Sequence, residues 1–367
     1  MLIVVNFLVL NCNMNRIPYL DGIRGVAIIL VLIGHGFYSI GISNELIRII
    51  FGNAHLGVMI FFSLSGYLIT NLLLNEQEKT GTIHLGKFYL RRAIRIFPVF
   101  YLYLSIIAVL VFVFRYLEID IIDLVFASVY LTNYKNLIGG ESFSPDYWYI
   151  GHFWTLSLEE QFYLVWPSLL FFCSLKWLRR ILPIVLFMFP IVRVVSYALF
   201  EDQRGQIGMM LHTMSDAIFW GCYMALLERY NKESVKKVLT VLKENIYIPI
   251  GLLLFIFILS PVMAMLFKGA YNLSIGFTLE SISIGILLLF IIHEKPSFAG
   301  FLNGKIISYI GVLSYSLYIW QQLFLNHSAT GIIYMFPLNI ILAAGAAYIS
   351  YTCVEKPILQ LKKKINS

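Results

Sequence analysis

The sequence has little charge for its length. Asp, Glu, Lys and Arg make up 13% of its 367 residues, whereas soluble globular domains carry about 25%. The mean hydropathy is +0.81, and the apolar residues lie in long blocks rather than in alternation. These features exclude a disordered chain and argue against an ordinary soluble fold. The sequence therefore predicts an all-α fold, a polytopic bundle of transmembrane helices.

Two common signs of metal or nucleophile chemistry are also missing. The cysteines number only four, at Cys12, Cys173, Cys222 and Cys353. None belongs to a C-x-x-C pair and all lie in or beside apolar stretches, so we predict neither a metal site nor a disulfide framework. There is no G-x-S-x-G motif either, which disfavours a serine nucleophile in FFSLSGYL. Ser63, Ser65 and Gly66 in that stretch instead predict close helix packing.

Ten stretches are long and apolar enough to cross a bilayer, which requires about 20 residues per helix. They lie approximately at 22–41, 54–74, 96–114, 153–173, 178–199, 212–228, 245–263, 272–293, 306–325 and 331–353. With the N-terminus in the cytoplasm, most of the 27 Lys and Arg residues fall on the cytoplasmic side. This asymmetry predicts about ten spans with both termini cytoplasmic. The net charge of +7 then reflects topology, and we predict no nucleic-acid partner.

No segment outside the spans is large enough to fold alone. We interpret residues 1–13 as a non-native or flexible extension, since Met14 begins a plausible shorter chain. Residues 14–358 form one membrane domain in this interpretation, and 359–367 form a short basic cytoplasmic tail. The basic segment 229–244 is predicted to be a helix lying against anionic lipid, so membrane lipid is an expected partner. The oligomeric state is not indicated by the sequence.

Polar side chains within spans are informative because their burial in a bilayer is costly. Arg24 and His35 are eleven residues apart, so they share one helix face and lie roughly 16 Å apart along the axis. This places His35 near the middle of the bilayer, where an imidazole can exchange protons near neutral pH. One hypothesis is a catalytic histidine. The other is a structural histidine bonded across helices, with Arg24 as a cytoplasmic anchor.

A pair of carboxylates lies early in the fourth span, within HFWTLSLEEQFYLVWP. Glu159 is predicted near the depth of His35, and a carboxylate there needs a partner, for which His35 or an arginine is the natural candidate. Glu160 points about 100° away on the same helix. The alternative is a carboxylate in water at the outer mouth, which suits Glu160 better than Glu159.

Three arginines, Arg91, Arg92 and Arg95, introduce the third span. Paired guanidinium groups bind phosphates through parallel hydrogen bonds, although, taken by themselves, the three arginines are better explained by anchoring to phospholipid. Further polar residues within the spans are Arg193, His212, Asp216 and Glu280. His212 and Asp216 lie one helical turn apart and can pair.

Taken in order, these motifs resemble the integral-membrane acyltransferase family 3. The Arg-x10-His element after LDG is followed by FFSLSGYL, RRAIRIFP, HFWTLSLEEQFYLVWP, SDAIFWG, LSYSLYIW and VEKP. The resemblance extends from about residue 17 to residue 358. Members of that family O-acylate lipopolysaccharide, peptidoglycan, surface polysaccharides and other acceptors. The resemblance therefore implies an acyltransferase in the plasma (inner) membrane of a bacterium.

The resemblance also implies roles for individual residues. His35 matches the histidine regarded as catalytic, and Glu159 matches the motif carboxylate that would orient it or stabilise its charged form. Substrate-binding roles are implied for Arg24, Arg91, Arg92, Arg95, Trp154 and Asp216. The donor would be cytoplasmic acyl-CoA, in the simplest case acetyl-CoA, with no permanently bound cofactor. The acceptor would be a hydroxyl of a cell-envelope or exported glycan or glycolipid.

The sequence departs from the family in two respects. The family often has a histidine after LSYSLYIW, where this sequence has Gln321 and Gln322. Many members append an extracytoplasmic hydrolase-like domain, and we expect none here because the sequence ends 14 residues after its last predicted span. The competing hypothesis is a secondary transporter or flippase that uses the same His, Arg and Glu residues as a proton relay. The order of the motifs favours the enzyme.

Overall fold

The structure, a computed structural model, describes residues 18–37, 44–139 and 143–365. The predicted extension at residues 1–13, Cys12 and the last two residues of the predicted tail lie outside this range. Helices account for 85% of the described residues, which contain no strand. The predicted all-helical bundle is thus confirmed.

The bundle consists of long helices joined by short helical connections. The long helices are α1 (Pro18–Gly36), α2 (Ala54–Thr80), α3 (Leu85–Phe112), α4 (Phe153–Phe172), α5 (Leu175–Leu199), α6 (Asp216–Tyr230), α7 (Lys232–Glu244), α8 (Tyr247–Phe267), α9 (Gly269–Glu294), α10 (Lys305–Phe324) and α11 (Leu338–Ser350). Two π-helical turns interrupt α8 and α9, at Phe255–Leu259 and Asn272–Gly276. A third, at Tyr351–Glu355, leads from α11 into the final helix, Lys356–Ile365. The α-helical connections are Glu45–Phe51, Ile121–Ser128, Lys135–Gly139, Trp148–Gly151 and Leu211–Met214.

Each of the ten predicted spans contains a long helix, but these helices differ in character. Seven helical stretches in the described ranges are long and apolar enough to cross a membrane, and they include α1, α2, α3, α5, α8, α9 and α11. The remaining predicted spans correspond to α4, α6 and α10, of which α6 has only 15 residues. The protein is therefore a membrane protein, while ten crossings and cytoplasmic termini stay predictions.

The three more polar helices have many buried positions. The most extensive helix contacts within the described ranges join α10 to α1 and α6 to α2. By contrast, only 28% of the apolar stretch of α5 and 17% of that of α8 are buried, which leaves most of their surface for lipid. A polar side chain on α4, α6 or α10 can therefore find a protein partner instead of a lipid chain.

Helix α1 ends at Gly36, so His35 lies in its last turn. Residues 38–41 of the first predicted span lie outside the described ranges. Glycine lowers helix propensity by about 1 kcal/mol relative to alanine, and Gly34 and Gly36 flank the histidine. Arg24 lies in the second turn, near the opposite end of the helix.

Helices α2 and α6 approach closely at Gly66. A Cβ atom at this position would overlap the backbone carbonyl oxygen of Ile218 on α6. Gly221 makes the reciprocal approach, with its Cα facing the backbone carbonyl of Ser63. The small residues of FFSLSGYL therefore bring two backbones together, as the sequence predicts.

We expect Gly66→Ala to destabilise the bundle, because the added methyl group forces α2 and α6 apart. Overpacking of this kind costs about 1–3 kcal/mol. The control is Gly345→Ala on α11, where an added Cβ meets no atom within 4 Å. The measurement is the thermal unfolding midpoint of each purified protein. Equal midpoints for the two variants would contradict the close approach.

Candidate active site

His35 is held by a glutamine rather than by a carboxylate. Its Nδ1 atom lies 2.8 Å from Oε1 of Gln321 on α10. Because an amide oxygen can only accept, Nδ1 is the donor and the lone pair of the neutral ring stays on Nε2. The ring of Trp148 meets the imidazole edge-on, with centroids 5.4 Å apart. Gln321 and Trp148 together fix both the tautomer and the orientation of His35.

Gln322 binds a second histidine in the same manner. Nδ1 of His152 lies 2.7 Å from Oε1 of Gln322, and the backbone N–H of His152 donates to the same oxygen at 3.2 Å. The backbone carbonyl of Gln322 accepts from Nε1 of Trp148 at 3.1 Å. Consecutive helix residues point about 100° apart, so Gln321 and Gln322 reach different neighbours. We call His35, Trp148, His152, Gln321 and Gln322 the histidine cluster.

A second polar group lies toward the other end of α1. It contains Arg24, Arg92 and Arg95, which we call the arginine cluster. Nη1 of Arg24 lies 2.8 Å from Oδ1 of Asp21. The guanidinium carbon of Arg92 lies 5.1 Å from the centre of the Tyr163 ring on α4, a cation–π contact. The charges of Arg92 and Arg95 act on Arg24, so helices α1 and α3 bring the three guanidinium groups together.

Glu159 faces the arginine cluster. Its Oε1 accepts a hydrogen bond from Oγ of Ser65 on α2 at 2.8 Å. The positive charges that act on Glu159 are those of Arg92, Arg95 and Arg24. Of the two partners that the sequence allows for this carboxylate, the structure gives the arginines.

The predicted contact between Glu159 and His35 is absent from the described part of the chain. The neighbours that act on His35 are Gln321 and His327. The reason is axial position: His35 lies in the last turn of α1, level with the start of α4. Glu159 lies six residues into α4, roughly 9 Å along the helix from its first residue.

Sequence reasoning missed one carboxylate of this region. Glu355 accepts from Oγ of Ser316 on α10 at 2.9 Å, and the charge of Arg95 acts on it. Its presence in the VEKP motif, at the inner end of the last predicted span, was the available signal. Glu355 and Glu159 offset the arginines, which permits several guanidinium groups to lie between helices.

Three other predicted site residues have contacts outside both clusters. Nη2 of Arg91 lies 3.2 Å from Oε2 of Glu76 on α2, and Arg91 is not among the charges that act on Glu159. Trp154 packs edge-on against Phe62, with ring centroids 6.1 Å apart. Substrate binding by Arg91 and Trp154 stays a prediction.

Asp216 belongs to a separate, fully buried group. Its Oδ2 accepts from Nη1 of Arg193 and from Oγ1 of Thr278, each at 2.8 Å. Arg193 also donates to the backbone carbonyls of Thr213 at 3.0 Å and Leu273 at 2.9 Å. These contacts tie α5, α6 and α9 together. They make Asp216 an internal counter-ion, and its predicted role in substrate binding is untested.

His212 does not take part in this group. Its Nδ1 lies 3.0 Å from the hydroxyl of Tyr134 in the connection before α4, rather than near Asp216. The pairing of His212 with Asp216 allowed by sequence spacing is therefore wrong. The cause is that α6 begins only at Asp216, after a break at Ser215, so the two residues do not share one helix.

The cysteines and acidic residues in the described ranges meet the requirements of neither a disulfide nor a metal site. Cys173, Cys222 and Cys353 are free cysteines. Within the described ranges, no group of three or more His, Cys, Asp and Glu side chains is arranged to hold a metal ion. The groups placed for chemistry are thus the two clusters at opposite ends of α1.

Comparisons with known proteins identify the family. The acyltransferase domain family matches residues 17–354. O-acetyltransferase OatA of Staphylococcus aureus, in strains NCTC 8325 / PS 47 and COL, is 28% identical over 372 aligned residues, covering 93% of this chain. The chain spans 57% of the length of these relatives. No solved structure matches the chain. Because the family match covers nearly all of it, the chain belongs to the acyltransferase family.

We expect Asp216→Asn to destabilise the fold, since it leaves Arg193 buried without its counter-ion. Removing one partner of a buried pair costs about 3–5 kcal/mol. The control is Glu201→Gln, which breaks an exposed 2.9 Å pair with Arg204 and is worth about 0–1 kcal/mol. Both are measured as thermal unfolding midpoints. A stable Asp216→Asn protein with weakened substrate affinity would favour the substrate-binding role instead.

Proposed function

We propose that this member of the acyltransferase family transfers an acetyl group from cytoplasmic acetyl-CoA to a hydroxyl of a cell-envelope or exported glycan, in the plasma membrane of a bacterium. The name of the OatA relatives, O-acetyltransferase, supports acetyl transfer to oxygen. The observation that carries the proposal is the division of polar groups along α1. His35, whose Nε2 makes no hydrogen bond among the described residues, lies at one end, and Arg24 joins Arg92 and Arg95 at the other.

The arginine cluster suits the phosphates of acyl-CoA. Guanidinium groups bind phosphate oxygens through paired hydrogen bonds. Arg24 and His35 are separated by roughly 16 Å along α1. The pantetheine arm between the pyrophosphate and the sulfur of CoA contains about as many bonds as four peptide residues, so it reaches roughly 14 Å when extended. A donor held by its phosphates at the arginines can therefore bring its thioester close to His35.

His35 then supplies the proton chemistry. The acceptor hydroxyl gives its proton to Nε2 while its oxygen attacks the thioester carbonyl carbon. The carbon–sulfur bond breaks, and the imidazolium returns the proton to the leaving thiolate of CoA. In the alternative route, Nε2 itself takes the acetyl group from sulfur and passes it to the hydroxyl. Both routes need Nε2 free, which is what the hydrogen bond from Nδ1 to Gln321 provides.

Glu159 contributes through the arginines in this scheme. Ser65 donates a hydrogen bond that fixes one carboxylate oxygen of Glu159, and the negative charge of Glu159 interacts with the arginine cluster. Glu159 therefore acts as a positioning residue for phosphate binding rather than as the partner of the histidine. Glu355 acts on Arg95 in the same way.

The test of the function is transfer of label from radioactive acetyl-CoA in membranes that carry the protein. We expect His35→Ala to lose about 10²–10⁴-fold in rate, as for loss of a positioned general base, with a normal protein level. The control is His212→Ala, because His212 is exposed and lies apart from both clusters. If wild-type protein moves a substrate across the membrane without transferring label, the transporter hypothesis is favoured and this proposal is wrong.

We expect Gln321→Leu to lower kcat with little change in KM for acetyl-CoA, because the imidazole loses its orientation while the phosphate contacts remain. Misplacement of a catalytic group by about 1 Å can cost roughly 10²-fold. Gln321→Glu keeps an oxygen that accepts from Nδ1, so it should retain much more activity than the leucine variant. Steady-state kinetics of the two variants decide the matter. An unchanged kcat in Gln321→Leu would contradict the positioning role.

We expect Arg92→Ala to raise KM for acetyl-CoA by roughly 10–100-fold, since a hydrogen bond to a charged group is worth about 1.5–3 kcal/mol. Arg92→Lys should restore only part of this, because an ammonium group cannot make the paired contact. The neighbouring Arg91 provides the control, since it pairs with Glu76 outside the cluster. An unchanged KM in Arg92→Ala would contradict phosphate binding and indicate a topology anchor instead, whereas an equal rise in Arg91→Ala would extend the phosphate site to Arg91.

A further inference from the structure

A basic cavity lies at the predicted cytoplasmic end of the bundle, away from both clusters. It occupies about 340 Å³ between the start of α5 and the end of α6. Its lining consists of Lys176, Arg179, Arg180, Tyr223, Leu226, Leu227 and Asn231. Three cations thus converge on one cavity, and the proposed reaction uses none of them.

No carboxylate neutralises these cations in the described part of the chain. None of the ion pairs found there includes Lys176, Arg179 or Arg180. Arg179 is nevertheless held in place. Its Nη2 donates to Oδ1 of Asn231 at 2.8 Å, and its guanidinium carbon lies 4.8 Å from the centre of the Tyr230 ring. An oriented guanidinium without an acidic partner is prepared for an anion from outside the protein.

Helix stability does not explain the cations. They lie in the first two turns of α5, where the positive end of the helix dipole disfavours Lys and Arg. The positive-inside rule accounts for their charge. It does not account for their arrangement around a cavity that also has a tyrosine and two leucines in its lining.

The surroundings of the cavity are those of a membrane interface. Trp177 follows Lys176 on α5, and Tyr230 contacts Arg179. They are 49% and 37% exposed, and such aromatic residues are typical of the headgroup region. The apolar stretch of α5 is only 28% buried, so its outer face is open to lipid. Leu226 and Leu227 offer apolar contact beside the cations.

We propose that this cavity binds the headgroup of an anionic phospholipid from the cytoplasmic leaflet. Basic pockets between transmembrane helices on this side of a membrane bind such headgroups. Three cations match a headgroup with two phosphates better than one with a single phosphate. The ligand chemistry is shared with CoA, but the arginine cluster on α1 and α3 is the separate site that we assign to CoA. The lipid site is independent of the proposed reaction.

The experiment is titration of fluorescent cardiolipin, which carries two phosphates, into the detergent-solubilised full chain, followed by fluorescence anisotropy. We expect unlabelled cardiolipin to compete best, phosphatidylglycerol less well and phosphatidylcholine not at all. The double variant Lys176→Gln/Arg180→Gln should weaken cardiolipin binding on the order of tenfold or more. Both side chains are exposed, so folding should be retained.

The matched control is Lys79→Gln/Lys305→Gln, on α2 and α10, because both lysines lie outside the segment 229–244 that is predicted to contact anionic lipid. It removes the same charge from exposed positions outside the cavity, and we expect unchanged binding. If the two double variants weaken cardiolipin binding equally, general surface charge explains the binding, and the proposal of a specific site in the cavity is wrong. Competition by free CoA, lost in the Lys176→Gln/Arg180→Gln variant, would assign the cavity to CoA phosphates and overturn the lipid. Unchanged cardiolipin binding in that variant would also contradict the proposal.

Discussion

The hydrogen bond between Gln321 and His35 illustrates the constraint on which the whole arrangement depends. A polar side chain among apolar helices must find its partner inside the protein, because lipid offers none. The three helices least suited by composition to face lipid, α4, α6 and α10, carry Glu159, Asp216 and Gln321. They are also helices with many buried positions, and each of these side chains is bonded to a different helix. These helices can carry polar side chains because neighbouring helices, rather than lipid, surround those side chains and supply their hydrogen-bond partners.

The same constraint separates the groups into two clusters with different chemical abilities. At one end of α1, neutral amides orient two histidines and leave Nε2 of His35 without a hydrogen bond among the described residues. At the other end, guanidinium groups and carboxylates balance one another. A reaction that draws a phosphate-bearing donor from one side of a membrane and an acceptor from the other needs this division. The length of α1 sets the separation of the two clusters, and the proposed donor extends from one cluster to the other.

Much of the bundle and part of the site could be predicted from the sequence. Apolar blocks predict helices because their length and composition are local properties, and long helices occur at all the predicted spans. The shared face of Arg24 and His35 follows from helix periodicity alone. The break at Ser215 before α6 was missed, because the start of a helix depends on local backbone geometry that hydropathy does not record. The partner of Asp216 was also missed, since Arg193 is 23 residues away and meets it only through helix packing.

Gln321 and Gln322 are the clearest case of a signal seen but not interpreted. They stand where the family often has a histidine, and the sequence alone gives no partner for either. The structure brings His35 and His152 to them from α1 and from the start of α4, which are far away in the chain. Such contacts depend on which helices are neighbours in the bundle. Motif resemblance can point to such residues, but only packing shows what they bind.

The most direct test of the central claim is an experimental structure of the protein with a thioether analogue of acetyl-CoA, which cannot transfer its acyl group. We expect the phosphates to contact Arg24, Arg92 and Arg95. We also expect the analogue's carbonyl carbon, or an acceptor hydroxyl beside it, to lie within roughly 3–4 Å of Nε2 of His35. Phosphates bound elsewhere, or an acyl end more than one helical turn from His35, would contradict the division of roles along α1.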